Sequence, residues 1–165
     1  MKKIKIDYLS TLFVGIDIGS RTNVISALNF DRDFLIRMLP VANAQGGAEQ
    51  MEEMVAQVLS QHHEFRAVII GLESTGFYGV HIANYLSTSE KLAPFSTKVY
   101  CLNPNEVKQY KKSFNSLDKN DGIDSFVIAE PQPLFCHMPL DTLYAAGCPI
   151  VIEGTAYFDG AIPPF

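Results

Sequence analysis

The sequence predicts an α/β protein in which helices flank a mixed β-sheet. Three apolar runs rich in β-branched residues, at 12–18, 67–72 and 97–102, have the composition of buried strands. Between the first two, residues 48–62 place apolar side chains at helical spacing, with glutamates at other positions. Alternation of strands with amphipathic helices is typical of a sheet that helices cover.

The other elements are predicted in chain order. After the turn-like residues 19–21, a second strand over 22–30 and a third over 34–41 complete an antiparallel meander. The run at 67–72 is short and fully apolar, as expected for a central parallel strand. Further helices are predicted over residues 76–86, 104–114 (with Asn103 as N-cap) and 121–130. Three strands followed by helix, strand, helix, strand and helix is the order of the ribonuclease-H-like fold, which we therefore predict.

Length and composition limit the class of protein. A chain of 165 residues with 47% hydrophobic and 19% charged residues is long enough for one compact domain with a core. No apolar run approaches the roughly 20 residues of a membrane-spanning helix, and residues 1–8 do not resemble a signal peptide. We therefore expect a soluble, cytoplasmic protein. Because Cys101, Cys136 and Cys148 lack Cys-x-x-Cys spacing, we expect reduced, buried thiols rather than a zinc site or a disulfide framework.

Charge is distributed unevenly along the chain. All 13 Lys and Arg lie in the first 119 residues together with 12 of the 18 Asp and Glu, so this part carries +1 and the remaining 46 residues carry −6. The net charge of −5 does not exclude a nucleic-acid partner, because phosphate contacts depend on local basic clusters. Such a cluster is formed by Lys98, Lys108, Lys111, Lys112 and Lys119. It is either a nucleic-acid-binding surface or a solvated helix face.

The composition changes after Glu130. Six of the nine prolines lie in residues 131–165, and no Lys or Arg occurs there. We predict a domain over 1–130 and a Pro-rich carboxy-terminal extension over 131–165, in which only 141–146 and 149–153 have the pattern of short ordered pieces. The extension is either a segment that packs on the domain or a truncated or altered terminus.

The candidate site consists of four acidic residues: Asp17, Glu73, Asp121 and Asp124. Asp17 and Glu73 lie at the ends of apolar strands, and ligand sites in such sheets lie outside the carboxyl ends of parallel strands. An unpaired charge is costly in an apolar strand, which argues against a purely structural Asp17. Asp121 and Asp124, at i and i+3, share one face of a helix. Carboxylates are hard ligands for Mg²⁺, and two ions about 4 Å apart promote phosphodiester cleavage, so the pattern predicts a nuclease-like metal site.

Other roles remain open in the same segments. Asp121 and Asp124 also have the positions of acids that cap a helix, and Asp118 is a further candidate beside them. The four histidines lack partners at ligand spacing, so we expect structural or surface roles for them. None of three candidate nucleophiles lies in a Gly-x-Ser-x-Gly motif, namely Ser20, Ser74 and Ser113.

Four blocks of the sequence together resemble a known family. They are VGIDIGS at 14–20, LESTGFY at 72–78, LNPNEV at 102–107 and LDKNDGID at 117–124. In this order they are similar to the successive motifs of DEDD-type insertion-sequence transposases, a family that includes the Piv-like DNA invertases and the bridge-RNA-guided recombinases. The resemblance covers about residues 12–130.

The resemblance implies a RuvC-like amino-terminal domain with a ribonuclease-H-like fold. By motif, Asp17, Glu73, Asp121 and Asp124 would be its catalytic, metal-binding tetrad, with Mg²⁺ as cofactor and Mn²⁺ as a substitute. The implied partners are DNA, a structured guide RNA and further copies of the chain. The basic cluster would then contact nucleic acid.

The sequence departs from the family pattern in two places. The closing motif of relatives commonly reads Lys-Thr-Asp-x-x-Asp-Ala, whereas KNDGIDS stands at 119–125 and retains both acids. Relatives continue into a second domain with a catalytic serine nucleophile, which residues 131–165 do not resemble. We therefore expect a fragment that lacks strand-exchange activity by itself.

Two other functions are compatible with parts of the sequence. The segment GIDIGS at 15–20 is also similar to the first phosphate loop of actin-like sugar kinases and ATPases, which bind ATP. That class needs a second phosphate loop and a Gly-rich adenosine motif, and neither is evident. The remaining alternative is a non-catalytic transposase remnant that only binds a partner.

Overall fold

The chain folds around a mixed β-sheet, and the computed structural model describes residues 7–73, 76–102, 104–105, 107–108, 121–129, 150–152 and 155–157. The strands are β1 (Thr11–Asp17), β2 (Thr22–Leu28), β3 (Phe34–Ala42), β4 (Ala67–Glu73), β5 (Lys98–Leu102), β6 (Ile150–Ile152) and β7 (Thr155–Tyr157). The α-helices are α1 (Gln45–Gln61), α2 (Val80–Ser87) and α3 (Asp121–Ala129). Short 3-10 helices cover Tyr8–Ser10 and Gly76–Gly79, and residues 104, 105, 107 and 108 are also helical.

The strands are arranged in the order β3-β2-β1-β4-β5-β6-β7. β1 pairs antiparallel with β2, and β2 pairs antiparallel with β3, which confirms the predicted meander. β4 lies parallel between β1 and β5, as its fully apolar sequence predicts. The predicted ribonuclease-H-like order of elements is therefore the observed one, with a mixed sheet flanked by helices.

Two hydrophobic layers cover opposite faces of the sheet. Alternate residues of β1 point to opposite sides, so Leu12, Val14 and Ile16 belong to the larger core under α1 and α2. Phe13 belongs to a smaller cluster with Ile69, Leu102, Val107 and Ile128 of α3. Complete burial of an aliphatic or aromatic side chain of this size contributes about 1.5–3 kcal/mol. The smaller cluster thus holds α3 against the face of β1 and β4.

The helices differ from their predicted boundaries at two places. α1 begins at Gln45, three residues before the predicted start. The prediction begins later because residues 45–47 lack the apolar spacing that identifies the rest of the helix. The helix predicted over 76–86 is divided into the 3-10 turn Gly76–Gly79 and α2. Two glycines within four residues lower the helix propensity of this segment. For the helix predicted over 104–114, the Asn103 cap and the residues after 108 lie outside the described ranges.

The carboxy-terminal segment contributes two strands to the sheet. β6 pairs antiparallel with β5 through Val99↔Val151 and Tyr100↔Ile150, and β7 pairs antiparallel with β6. Cys101 is buried as predicted, while Cys136 and Cys148 lie outside the described residues. None of the helices in the described part of the chain has the length and apolarity that a membrane crossing requires.

Candidate active site

Asp17 and Glu73 end two neighbouring parallel strands. β1 and β4 pair residue by residue from Thr11↔Ala67 to Ile16↔Leu72, so the next positions along the two strands are Asp17 and Glu73. Because paired strands lie about 4.8 Å apart, the two acids are neighbours at the carboxyl edge of the sheet. Both side chains are half-buried, and Oε2 of Glu73 is shielded from solvent. The structure thus brings together two of the four predicted acids.

The side-chain alternation of the strands assigns both acids to the face that α3 covers. Phe13 on β1 and Ile69 on β4 pack against Ile128 of α3. Since side chains two residues apart point the same way, Asp17 shares the face of Phe13, and Glu73 shares that of Ile69. The paired acids therefore lie on the same side of the sheet as the helix that carries the closing acidic pair.

Gly15 lets α3 approach the strand backbone closely. A Cβ atom on Gly15 would lie 2.1 Å from the carbonyl oxygen of Ser125 and 2.3 Å from the amide nitrogen of Ala129. No residue with a side chain fits at this position without movement of the helix. Gly15 is two residues before Asp17, so this close helix–strand contact is adjacent to the candidate site.

A buried pair of hydroxyl groups also joins the middle of α3 to β2. Ser26 Oγ on β2 and Ser125 Oγ lie 2.7 Å apart and share a hydrogen bond, and both residues are fully buried. The backbone N–H of Met38 donates a second hydrogen bond to Ser26 Oγ over 3.2 Å. This contact lies where the β2–β3 pairing shifts between Ile25↔Leu39 and Ala27↔Ile36. Ser125, the residue that follows Asp124, is thus held by β2.

The close contact at Gly15 relates α3 to Asp17. Both Ser125 and Ala129 lie against Gly15, and Ile128 belongs to the same cluster as Phe13. α3 therefore crosses β1 two residues before Asp17, and the helix begins at Asp121, four residues before Ser125. The side chains of Asp121 and Asp124 lie outside the description. Among the described side chains, no group of three or more His, Cys, Asp and Glu is placed to hold a metal ion.

Two members of the predicted basic cluster are described. Lys98 is half-buried at the start of β5. Lys108 is exposed on a helical segment, and the preceding Val107 is buried in the cluster under α3. Lys108 therefore belongs to an element that packs on the same face of the sheet as α3. Lys111, Lys112 and Lys119 fall outside the described ranges.

A second polar cluster lies on the opposite face, between α1 and the segment after α2. Glu52 accepts hydrogen bonds from Ser89 Oγ and from the Tyr85 hydroxyl over 3.2 Å, and Lys91 Nζ lies 3.4 Å from it. Burial raises the pKa of Glu52, but these three partners outweigh it, so the pKa lies below the ordinary value of 4.5. Because the Glu52 carboxylate has its hydrogen-bond and ion-pair partners within the protein, we interpret this cluster as a contact that stabilises helix packing rather than as a ligand site.

Sequence reasoning did not identify the residues that position α3. The sequence could have indicated the role of Gly15, because an isolated glycine in an apolar strand often marks a close approach of another backbone segment. Ser26 and Ser125 had none, because their hydrogen bond joins residues 99 positions apart.

The strand order and the helices on both faces of the sheet define an α/β domain of the ribonuclease-H-like class. The chain belongs to the DEDD transposases of the IS110 type, because the model of that family, described as a transposase, matches residues 14–133, well over half of the chain. This confirms the predicted transposase family and its association with DNA recombination. Among curated proteins, none matches the chain.

The chain is similar in structure to two RuvC structures and to a terminase nuclease domain. RuvC of Thermus thermophilus in complex with a Holliday junction substrate is 14% identical, with a TM-score of 0.44 over 72% of this chain and 90% of that one. A structure of Thermus thermophilus RuvC is 16% identical, with a TM-score of 0.45 and the same two coverages. The manganese-soaked terminase nuclease domain of human cytomegalovirus is 16% identical, with a TM-score of 0.39 over 87% of this chain and 75% of that one.

Proposed function

We propose that this chain is the metal-binding domain of a transposase that acts on DNA phosphodiesters. In this proposal Asp17, Glu73, Asp121 and Asp124 hold Mg²⁺, with Mn²⁺ as a substitute. The observation that carries it is the neighbouring position of Asp17 and Glu73, which directly follow the last pair, Ile16↔Leu72, of two adjacent parallel strands. Membership of the transposase family supplies the substrate class.

The donor set fits a divalent cation. Two half-buried carboxylates on neighbouring strands repel each other, and a cation between them offsets that repulsion. Carboxylate oxygens are the ligands that Mg²⁺ prefers, and the strand spacing of about 4.8 Å matches a site for closely spaced ions. When bound, the ions would supply activation of an attacking oxygen and stabilisation of a leaving oxygen. The chain itself contributes the rigid placement of its carboxylates.

The anchored middle of α3 supports the inclusion of Asp121 and Asp124, which lie in the turn before it. Ser125 is held by Ser26 and by its contact with Gly15, so the preceding turn has little freedom to move away from β1. Residues at i and i+3 lie on one helix face, which allows either two ligands or one ligand and a hydrogen-bonding partner. Asp118 is the alternative ligand in the same segment.

The wider proposal follows the family. The acidic site would be one half of an active centre, completed by a serine nucleophile from a second domain. DNA would lie across the carboxyl edge, with Lys108, Lys111, Lys112 and Lys119 in contact with nucleic acid. A structured guide RNA and further copies of the chain are the other proposed partners.

Metal-dependent thermal stabilisation tests the proposal. We expect Mn²⁺ and Mg²⁺ to raise the Tm of the wild-type chain, and we expect Asp17→Asn and Glu73→Gln to lose this increase because each removes a charged ligand. In metal-free buffer the same variants should be at least as stable as the wild type, since the repulsion between the two carboxylates is relieved. Asp121→Asn and Asp124→Asn should each reduce the increase.

Asp31→Asn is the matched control. Asp31 is exposed in the turn between β2 and β3, at the opposite end of β2 from Asp17, so this variant should keep the full metal response. A full Tm increase in Asp17→Asn would contradict the proposed site. If ATP at constant Mg²⁺ raises the Tm, and the Asp17→Asn variant keeps this increase, a nucleotide-binding lobe would be favoured instead.

A further inference from the structure

The turn between β1 and β2 is held from both sides. The Gly19 N–H donates to Asn23 Oδ1 over 3.2 Å, and Asn43 Nδ2 donates to the Gly19 carbonyl over 2.7 Å. The Asn43 N–H donates to the carbonyl of Arg21 over 2.8 Å. The turn is also tight, since a Cβ on Gly19 would lie 2.3 Å from the Thr22 carbonyl oxygen. Its backbone is therefore fixed before any partner binds.

The polar side chains of this turn face solvent. Ser20, Arg21 and Thr22 are exposed, whereas Asn23, which holds the turn, is fully buried. The Arg21 guanidinium makes neither an ion pair nor a hydrogen bond with the described part of the chain. Lys91, by contrast, pairs with Glu52 and Glu53. Within the described ranges Arg21 is thus a positive charge without an ion-pair partner, carried by a fixed backbone turn.

The turn between β1 and β2 places the Arg21 charge next to the candidate acidic site. It begins directly after Asp17 and Ile18, at the carboxyl edge where Asp17 and Glu73 lie. A DNA strand that approaches these acids brings phosphates that the carboxylates repel, so cationic donors beside them are needed to hold the backbone. A guanidinium binds phosphate through two parallel N–H groups, and the hydroxyls of Ser20 and Thr22 add further donors.

We infer that the exposed turn Ser20, Arg21 and Thr22 contacts a DNA phosphate next to the acidic site, with Arg21 as the main contact. This inference rests on the proposed function, because it places DNA at the carboxyl edge of the sheet. The role of Arg21 is positioning of the DNA backbone. It holds no metal.

DNA affinity at several salt concentrations tests the inference. The full chain would be titrated onto a short fluorescently labelled DNA duplex in the presence of Mn²⁺, and anisotropy recorded. Arg21→Ala should weaken binding about tenfold and reduce the slope of log affinity against log salt by about one, because one phosphate contact is lost. Arg21→Lys should keep the salt slope but lose part of the affinity, because it keeps the charge without the bidentate fork.

Arg66→Ala is the matched control. Arg66 is also exposed, but it directly precedes β4 at the amino edge of the sheet, with its N–H bonded to the Ser10 carbonyl. It should bind DNA as the wild type does. Equal affinities and slopes for the Arg21→Ala and Arg66→Ala chains would overturn the inference.

The metal response separates this inference from the proposed function. Arg21→Ala should keep the Tm increase with Mn²⁺, and its loss would show that Arg21 acts through the metal site or the fold, against the inference. A wild-type chain that responds to Mn²⁺ but does not bind the duplex would overturn the inference while leaving the metal site intact. A missing Mn²⁺ response together with Arg21-dependent DNA binding would sink the proposed metal site and support the contact.

Discussion

Gly15 determines how closely α3 can approach the sheet beside Asp17. Replacement by alanine would place a methyl group 2.1 Å from the Ser125 carbonyl oxygen, which is backbone and cannot rotate away. We expect Gly15→Ala to shift the helix and to lower the free energy of unfolding by about 1–3 kcal/mol, the usual cost of overpacking. The variant should also bind Mn²⁺ more weakly, because the first turn of α3 moves with the helix. Urea denaturation and metal titration would measure both effects.

Gly46→Ala provides the opposite case in the same chain. Gly46 is exposed in the first turn of α1, and a Cβ there would meet nothing within 4 Å. This change should stabilise the chain by about 0.4–1 kcal/mol, since alanine restricts the unfolded chain and favours helix. If Gly15→Ala were as stable as Gly46→Ala, the close helix–strand contact would be wrong.

A residue of the site can be predicted from the sequence only if it differs clearly from its neighbours along the chain. Asp17 and Glu73 could be found because a charge at the end of an apolar run is conspicuous in the sequence. The supporting hydroxyl pair Ser26 and Ser125 could not, because each serine alone is an ordinary buried polar residue. The structural role of each serine depends on the other serine, which is distant in the sequence.

Among the elements, α1 and the segment after α2 are joined by the buried carboxylate of Glu52. The side chain of Glu52 is 9% exposed, whereas that of the adjacent Glu53, which also binds Lys91, is 66% exposed. Glu52→Ala should lower the free energy of unfolding by about 1–3 kcal/mol, because it leaves the buried Ser89 hydroxyl without its acceptor. Glu53→Ala should have a much smaller effect, since an exposed ion pair is weak.

The stabilisation that Glu52 provides depends on pH and is lost under acidic conditions. The pKa of Glu52 is lower in the folded chain than its ordinary value of 4.5, so folding favours the ionised form. Its stabilisation is fully present above pH 4.5 and is lost as the pH falls through the lower, folded pKa. Thermal unfolding from neutral to acidic pH should therefore show a smaller acid-induced decrease in Tm for Glu52→Gln than for wild type. Identical decreases in both chains would contradict the assignment.

Element types were readable from the sequence more reliably than element ends. Apolar runs identified β1, β4 and β5, because buried parallel strands have no polar face. The sequence predicts the start of α1 three residues too late, because Gly46 and Gly47 precede its amphipathic pattern. The division before α2 was missed for a similar reason, since a 3-10 turn and an α-helix share apolar spacing over one turn.

For the whole molecule, the order of strands and helices predicted the sheet, but the sequence could not predict the attachment of its last strands. Residues 149–153 have the pattern of a strand, yet nothing in them specifies a partner. In the structure β6 lies along β5, and β7 continues the sheet beyond it. The outer edge of β5 is therefore covered by residues that follow the helical part of the chain.

Removal of this cover should change how the molecule associates. A chain that ends at Glu130 lacks β6 and β7, so the backbone N–H and C=O groups on one edge of β5 become exposed, and exposed edges pair with other chains. We expect this chain to have a larger mass than the full chain in light scattering after size exclusion, increasingly so at higher concentration. A chain that ends at Tyr157 keeps both strands and should match the full chain. Because the shorter chain also loses negative charge, the comparison should be repeated in high salt, which screens charge effects but not edge pairing. Equal masses for all three chains would show that β6 does not protect the edge of β5.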